Sequence, residues 1–70
     1  MIKLQNNQLI SKSISGVRIS TIQLMGQEKW VSSVNDCQYT EIERHEYLTQ
    51  LEASKGHARL SIKHNAFRVN

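Results

Sequence analysis

Through residues 1–36 apolar and polar side chains alternate with the two-residue period of half-buried strands. Ile2 and Leu4 alternate before Gln5-Asn6-Asn7-Gln8, a polar break suited to a turn. Ile10, Lys12 and Ile14 then share one face, interleaved with Ser11 and Ser13. Gly16 interrupts, and Val17-Arg18-Ile19-Ser20-Thr21 resumes the alternation. Ile22 and Leu24 fall out of phase with Val17 and Ile19. A one-residue slip exchanges the buried and exposed faces, so a β-bulge near Thr21, or a strand covered on both sides, is predicted. Met25-Gly26-Gln27-Glu28-Lys29 supplies the next turn, with Gly26 able to take positive φ. Trp30-Val31-Ser32-Ser33-Val34 reads as a strand closed by Asn35-Asp36, and the density of β-branched residues supports strands throughout. The section predicts an antiparallel meander of three or four strands.

The pattern then changes. Thr40-Glu41-Ile42-Glu43 has the form of a capping box, in which hydroxyl and carboxylate satisfy each other's backbone amides at a helix start. A helix from about 41 to 55 follows, with Glu41 and Glu43 at its positive end, Lys55 at its negative end and Gly56 as a left-handed stop. Tyr47, Leu48 and Leu51 form the stripe expected to pack on the sheet, and Ile42 is expected to fold over the helix start. Beyond Gly56, Ala58, Leu60 and Ile62 alternate with Arg59, Ser61 and Lys63, which predicts a returning strand with a basic outer row. His64-Asn65 shifts the phase, and Phe67 with Val69 forms a short terminal piece. The predicted fold class is α+β: a small antiparallel β-sheet of three to five strands with one helix on one face, in the order β-β-β(-β)-α-β, as a single domain over 1–70.

Composition sharpens this picture. Seventy residues, 39% of them hydrophobic, give a thin core, and a single cysteine cannot brace it with an internal disulfide. Chains in this position often complete their core by self-association, so a homo-oligomer, or a domain stabilised by its partner, is expected. No run approaches the roughly 18 apolar residues that cross a bilayer. The start Met1-Ile2-Lys3-Leu4-Gln5-Asn6-Asn7 lacks the form of a secretory signal, and a lone thiol suits a reducing compartment. The expected location is cytoplasmic, with no membrane partner.

Candidate chemistry is sparse. Cys37 precedes the predicted cap, with His45 as its nearest base candidate, but no third residue orients that histidine. His45, His57 and His64, with Cys37 or Glu41, match no zinc spacing, for the chain holds no CxxC pair and no helical HxxxH. Glu41, Glu43, Glu46 and Glu52 all fall on the predicted helix, where they read as its solvated face. Gly16, Gly26 and Gly56 are isolated and make no phosphate loop. Neither an enzyme, nor a cofactor, nor a metal site is expected.

Charge is segregated: residues 1–36 balance at +2, residues 37–56 at −2 and residues 57–70 at +3, within a net charge of +3. If the strands share a sheet, Lys12, Arg18, Lys29, Arg59, Lys63 and Arg68 give it a basic tint, with Trp30 and Tyr39 available for stacking. A basic sheet backed by a helix resembles in outline the three-stranded DNA-binding domains of the AP2 and phage-integrase arm-binding type. The resemblance rests on Gly16-Val17-Arg18, Lys29-Trp30-Val31 and the helix at Thr40, and covers about half the chain. It departs at Ser20, Thr21, Ile22 and Gln23, where such domains carry arginines. The leading expectation is a non-enzymatic protein–protein interaction module, a small regulator or inhibitor docking on a larger, even nucleoprotein, assembly. Its size is that of many phage or mobile-element proteins, host-defence inhibitors included. A nucleic-acid-binding module using a basic sheet face is the alternative. Arg18, Lys29, Trp30, Arg59, Lys63 and Arg68 are the expected binding set.

Overall fold

The computed structural model describes residues 8–24, 26 and 29–69. Elements follow in the order β1 (Gln8–Ser13), β2 (Arg18–Gln23), β3 (Trp30–Asn35), β4 (Glu41–Tyr47), α1 (Gln50–His64) and β5 (Ala66–Arg68). The five strands form one antiparallel sheet in the spatial order β4-β3-β2-β1-β5. Fold class and element order are those the sequence predicts. The predicted alternation at Ile2 and Leu4, most of the Gln5–Gln8 break, and Met25, Gln27 and Glu28 lie outside the described residues.

Tight turns hold the meander together. Ser13 N–H donates to Val17 O at 2.9 Å and Gly16 N–H to Ser13 O at 3.1 Å. Gly16 sits at φ 100°, and a Cβ there would lie 2.7 Å from the Cβ of Cys37, so both conformation and space demand glycine. Leu24 N–H donates to Lys29 O at 2.9 Å across the β2–β3 turn, where Gly26 has φ 74° as expected. Between β3 and β4, Asp36 Oδ1 accepts from the amides of Gln38 and Thr40, both at 2.9 Å. Tyr39 takes φ 64° in the same turn.

The register decides which side chains meet the helix. Leu9, Ser11, Ile19, Thr21, Trp30, Ser32, Val34, Glu43, His45 and Tyr47 share one face of the sheet. Ile10, Lys12, Arg18, Ser20, Ile22, Val31, Ser33, Arg44 and Glu46 share the other. In β1 the buried face is therefore the serine face: Ser11 is 1% exposed, whereas Ile14 stands 97% exposed in the turn. No bulge occurs at Thr21, since β2 pairs continuously from Arg18 to Gln23 with β3. The apparent slip arises because Thr21 is buried as a polar member of the inner face while Ile22 points outward. The bulge lies in β4 instead. Val34 faces Glu43 and Asn35 faces Glu41, which leaves Ile42 as the extra residue, exposed rather than folded over a helix start.

The largest correction concerns the helix, which spans Gln50–His64 and not 41–55. The motif T-x-x-E occurs twice, at Thr40-Glu43 and at Thr49-Glu52. The second caps the helix: Thr49 is extended at φ −132° and ψ 157°, and its Oγ1 accepts from Glu52 N–H at 3.1 Å. Thr40 is held in the Asp36 turn, and residues 41–47 pair with β3. Asn65, left-handed at φ 55° and ψ 43°, ends the helix in the place assigned to Gly56. Gly56 is buried in mid-helix, where any Cβ would fall on Tyr47 Oη and Cζ, so glycine admits the tyrosine ring against the helix backbone. The predicted strand at Ala58–Ile62 is helical, and Leu48 and Leu51 are exposed. The buried helix residues are Ala53, Gly56, His57 and Leu60, a spacing that lines one helical stripe.

The main apolar cluster is small, comprising Ile19, Val34, Leu60 and Ala66 with Val17 packed against them, and Trp30, Val31 and Ala53 are buried as well. Beside it lies a buried layer of Ser11, Thr21, Ser32 and His57. Among the described residues no helix is long and apolar enough to cross a membrane.

Candidate functional site

Buried hydroxyls need partners, and His57 supplies them. The helix stripe brings its ring between β1 and β2, where Nε2 meets Ser11 Oγ at 2.7 Å and Nδ1 meets Thr21 Oγ1 at 2.7 Å. Thr21 Oγ1 meets Ser32 Oγ at 2.6 Å, and Ser61 Oγ–H donates to Ser11 Oγ at 3.2 Å. Five side chains from three strands and the helix thus form one continuous polar line. Burial pushes the His57 pKa below its usual 6.5, and the positive charge of Arg68 adds to the effect. The neutral ring can donate from one nitrogen and accept at the other, as the line requires. Its outer end borders an open cleft of about 420 Å³ lined by Leu9, Ser11, Ser54, His57, Ala58, Ser61, Ile62 and Arg68. A serine against a histidine is also the geometry of an activated nucleophile. Here, however, both directions at the Ser11 hydroxyl are occupied, by His57 and Ser61. The line reads as a satisfied polar core.

A second cluster ties β4 to the end of the helix. Glu43 Oε2 lies 2.9 Å from His45 Nε2, while Glu43 Oε1 lies 3.2 Å from His64 Nε2. Lys63 Nζ donates to both carboxylate oxygens at 3.2 and 3.1 Å. Hydrogen bonds from His45, Lys63 and His64 lower the Glu43 pKa from the usual 4.5 to about 2. Among the described residues no group of three His, Cys, Asp or Glu side chains is arranged to hold a metal ion. Cys37 is exposed in the β3–β4 turn.

The six expected binding residues do not form one surface. Arg18 is exposed at the start of β2 on the face away from the helix, and Lys29 pairs with Glu46 at 3.4 Å. Trp30 is only 4% exposed and faces the helix side, so it offers no stacking platform. Arg59 and Lys63 sit on α1 rather than on an outer strand row, and Lys63 is engaged with Glu43. Arg68 is on β5, opposite Ser11. A basic sheet face built from these residues is absent. The outline likeness to three-stranded DNA-binding domains also loses its helix at Thr40.

What the register does bring together is apolar. On the face away from α1, Val31 lies opposite Ile22, Ile10 lies diagonal to Ile22, and Val69 N–H donates to Ile10 O at 2.8 Å. Phe67 lies opposite Lys12 on the neighbouring pair. Ile22, Phe67 and Val69 are exposed, at 38%, 66% and 58%, whereas Ile10 is half-buried and Val31 is buried. Among the described residues α1 is the sole helix, and its buried stripe meets the other face. The sequence hid this run because its members come from four strands, and only their register aligns them. Comparison with protein-family models, with curated proteins and with solved structures finds no match.

Proposed function

We propose that the chain is a non-enzymatic protein-binding module, a small regulator or inhibitor that docks on a larger assembly through the sheet face opposite the helix. The observation that carries this reading is the exposed apolar group of Ile22, Phe67 and Val69 on that face, beside the half-buried Ile10 and the buried Val31. It is bordered by Lys12 and Arg18 on one side and by Glu41, Arg44 and Glu46 on the other. Apolar side chains inside a mixed-charge rim are the ordinary composition of a protein interface. A nucleic-acid surface calls for several phosphate-contacting cations on one side, and the basic residues here are divided between sheet and helix.

The test compares the wild-type chain with an Ile22→Lys/Val69→Lys variant as immobilised bait in nuclease-treated lysate. Both positions are exposed, so the fold is expected to survive, as circular dichroism would verify. A defined protein retained by the wild type and lost with the variant supports the reading. Identical captures from both baits, or an empty capture from the wild type, would sink it.

A further inference from the structure

We infer that a second copy of this chain pairs along β4, antiparallel and about a two-fold axis through His45, to make one continuous sheet. The inference does not rest on the apolar group proposed above, since it uses the sheet edge, although Arg44 and Glu46 also belong to the rim of that face.

β4 is a seven-residue strand at the edge of the sheet. Which of its main-chain groups have no strand beside them among the described residues follows from the hydrogen bonds already described. Leu24 N–H donates to Lys29 O, so the amides and carbonyls of Val31 and Ser33 turn towards β2. Those of Trp30, Ser32 and Val34 then turn towards β4, where their partners are Tyr47, His45 and Glu43. The main-chain groups of Arg44 and Glu46 are left pointing away from the sheet. An edge of this length with outward amides and carbonyls is a template for another strand.

The side chains choose both the occupant and the register. In a symmetric antiparallel pair each register places one residue against its own copy. Centring on Glu43, Arg44 or Glu46 sets like charges directly opposite, which is unfavourable. Centring on His45 sets Arg44 opposite Glu46 of the other copy, twice, and Glu43 opposite Tyr47. The same register matches the outward main-chain groups, so each Arg44–Glu46 pair exchanges both of its backbone hydrogen bonds. It also stays clear of the bulge at Ile42. Lys29 already pairs with Glu46 at 3.4 Å and Arg44 with Glu41 at 3.3 Å. Pairing therefore extends these contacts into one alternating line: Lys29, Glu46, then Arg44 and Glu41 of the second copy. A second copy is charge-complementary to this edge only in that register.

The experiment is sedimentation of the purified chain over a wide concentration range, with two charge reversals. The wild-type mass is expected to rise from 8.1 kDa towards twice that value. Arg44→Glu and Glu46→Arg each set like charges across the two-fold axis, so each alone stays at 8.1 kDa. Mixed in equal amounts the two variants restore opposite charges at both positions, and the doubled mass returns. Within the wild-type dimer, the Arg44 and Glu46 amides gain hydrogen-exchange protection with concentration. A wild type that is monomeric throughout overturns the inference. So do variants that dimerise alone, a mixture that stays monomeric, or a dimer in which those two amides remain unprotected.

Discussion

At the scale of single residues, the chain buries three hydroxyls, of Ser11, Thr21 and Ser32, beside its apolar core. Thr21 is the centre of that choice, because its hydroxyl contacts both His57 Nδ1 and Ser32 Oγ. Thr21→Val keeps the shape and removes the hydroxyl, which leaves two buried polar atoms short of a partner. The expected loss is about 1–3 kcal/mol of unfolding free energy, read as a lower midpoint in urea with unchanged slope. An unchanged midpoint would show that Ser32 and His57 are satisfied without Thr21. Alternation by residue type misassigned β1 for this reason: Ser11 faces inward because His57 and Ser61 meet its hydroxyl there. Partners 46 and 50 positions away cannot be read from neighbouring letters.

At the scale of elements, two T-x-x-E motifs compete for one helix start. Each offers the same local capping chemistry, so propensity alone does not separate them. The first is taken up by the Asp36 turn and by pairing of Glu41–Tyr47 with β3, which satisfies those backbone groups in the sheet. The second is followed by Ala53, His57 and Leu60, spaced to bury one stripe. That stripe was present in the sequence, but apart from Leu60 its members are small or polar and carry little weight in an apolar pattern. Thr49→Ala is expected to cost about 1 kcal/mol through the lost cap. Thr40→Ala is expected to cost well under that, because Thr40 joins its turn through the backbone amide. Thermal or urea unfolding of the two variants side by side decides between them, and equal losses would contradict the assigned cap.

At the scale of the whole molecule, acid acts on two separate clusters. His57 titrates at a lower pH folded than unfolded, so the unfolded chain takes up that proton first. Stability is therefore full above about 6.5 and falls as the pH drops below it, until the folded-state pKa is passed. Glu43 adds a second decline. Its carboxyl protonates near 4.5 when unfolded and near about 2 when folded, so its contribution holds above 4.5 and is lost between those values. Urea midpoints across pH are expected to show both declines, with Glu43→Gln removing much of the lower one. A variant profile parallel to the wild type down to pH 2 would refute the role assigned to this carboxylate.

Sequence alone determined the α+β class, the element order, the break at Gly16, the turn at Gly26, and strands over much of the first half, because local chain chemistry sets these. Only tertiary structure decided the helix limits, the inward face of β1, the burial of Trp30 and the apolar run across four strands. Those depend on which of two locally equal options finds partners elsewhere in the fold. A buried hydroxyl, a mid-helix glycine and a strand register acquire their meaning from residues far along the chain, and only packing brings those residues together.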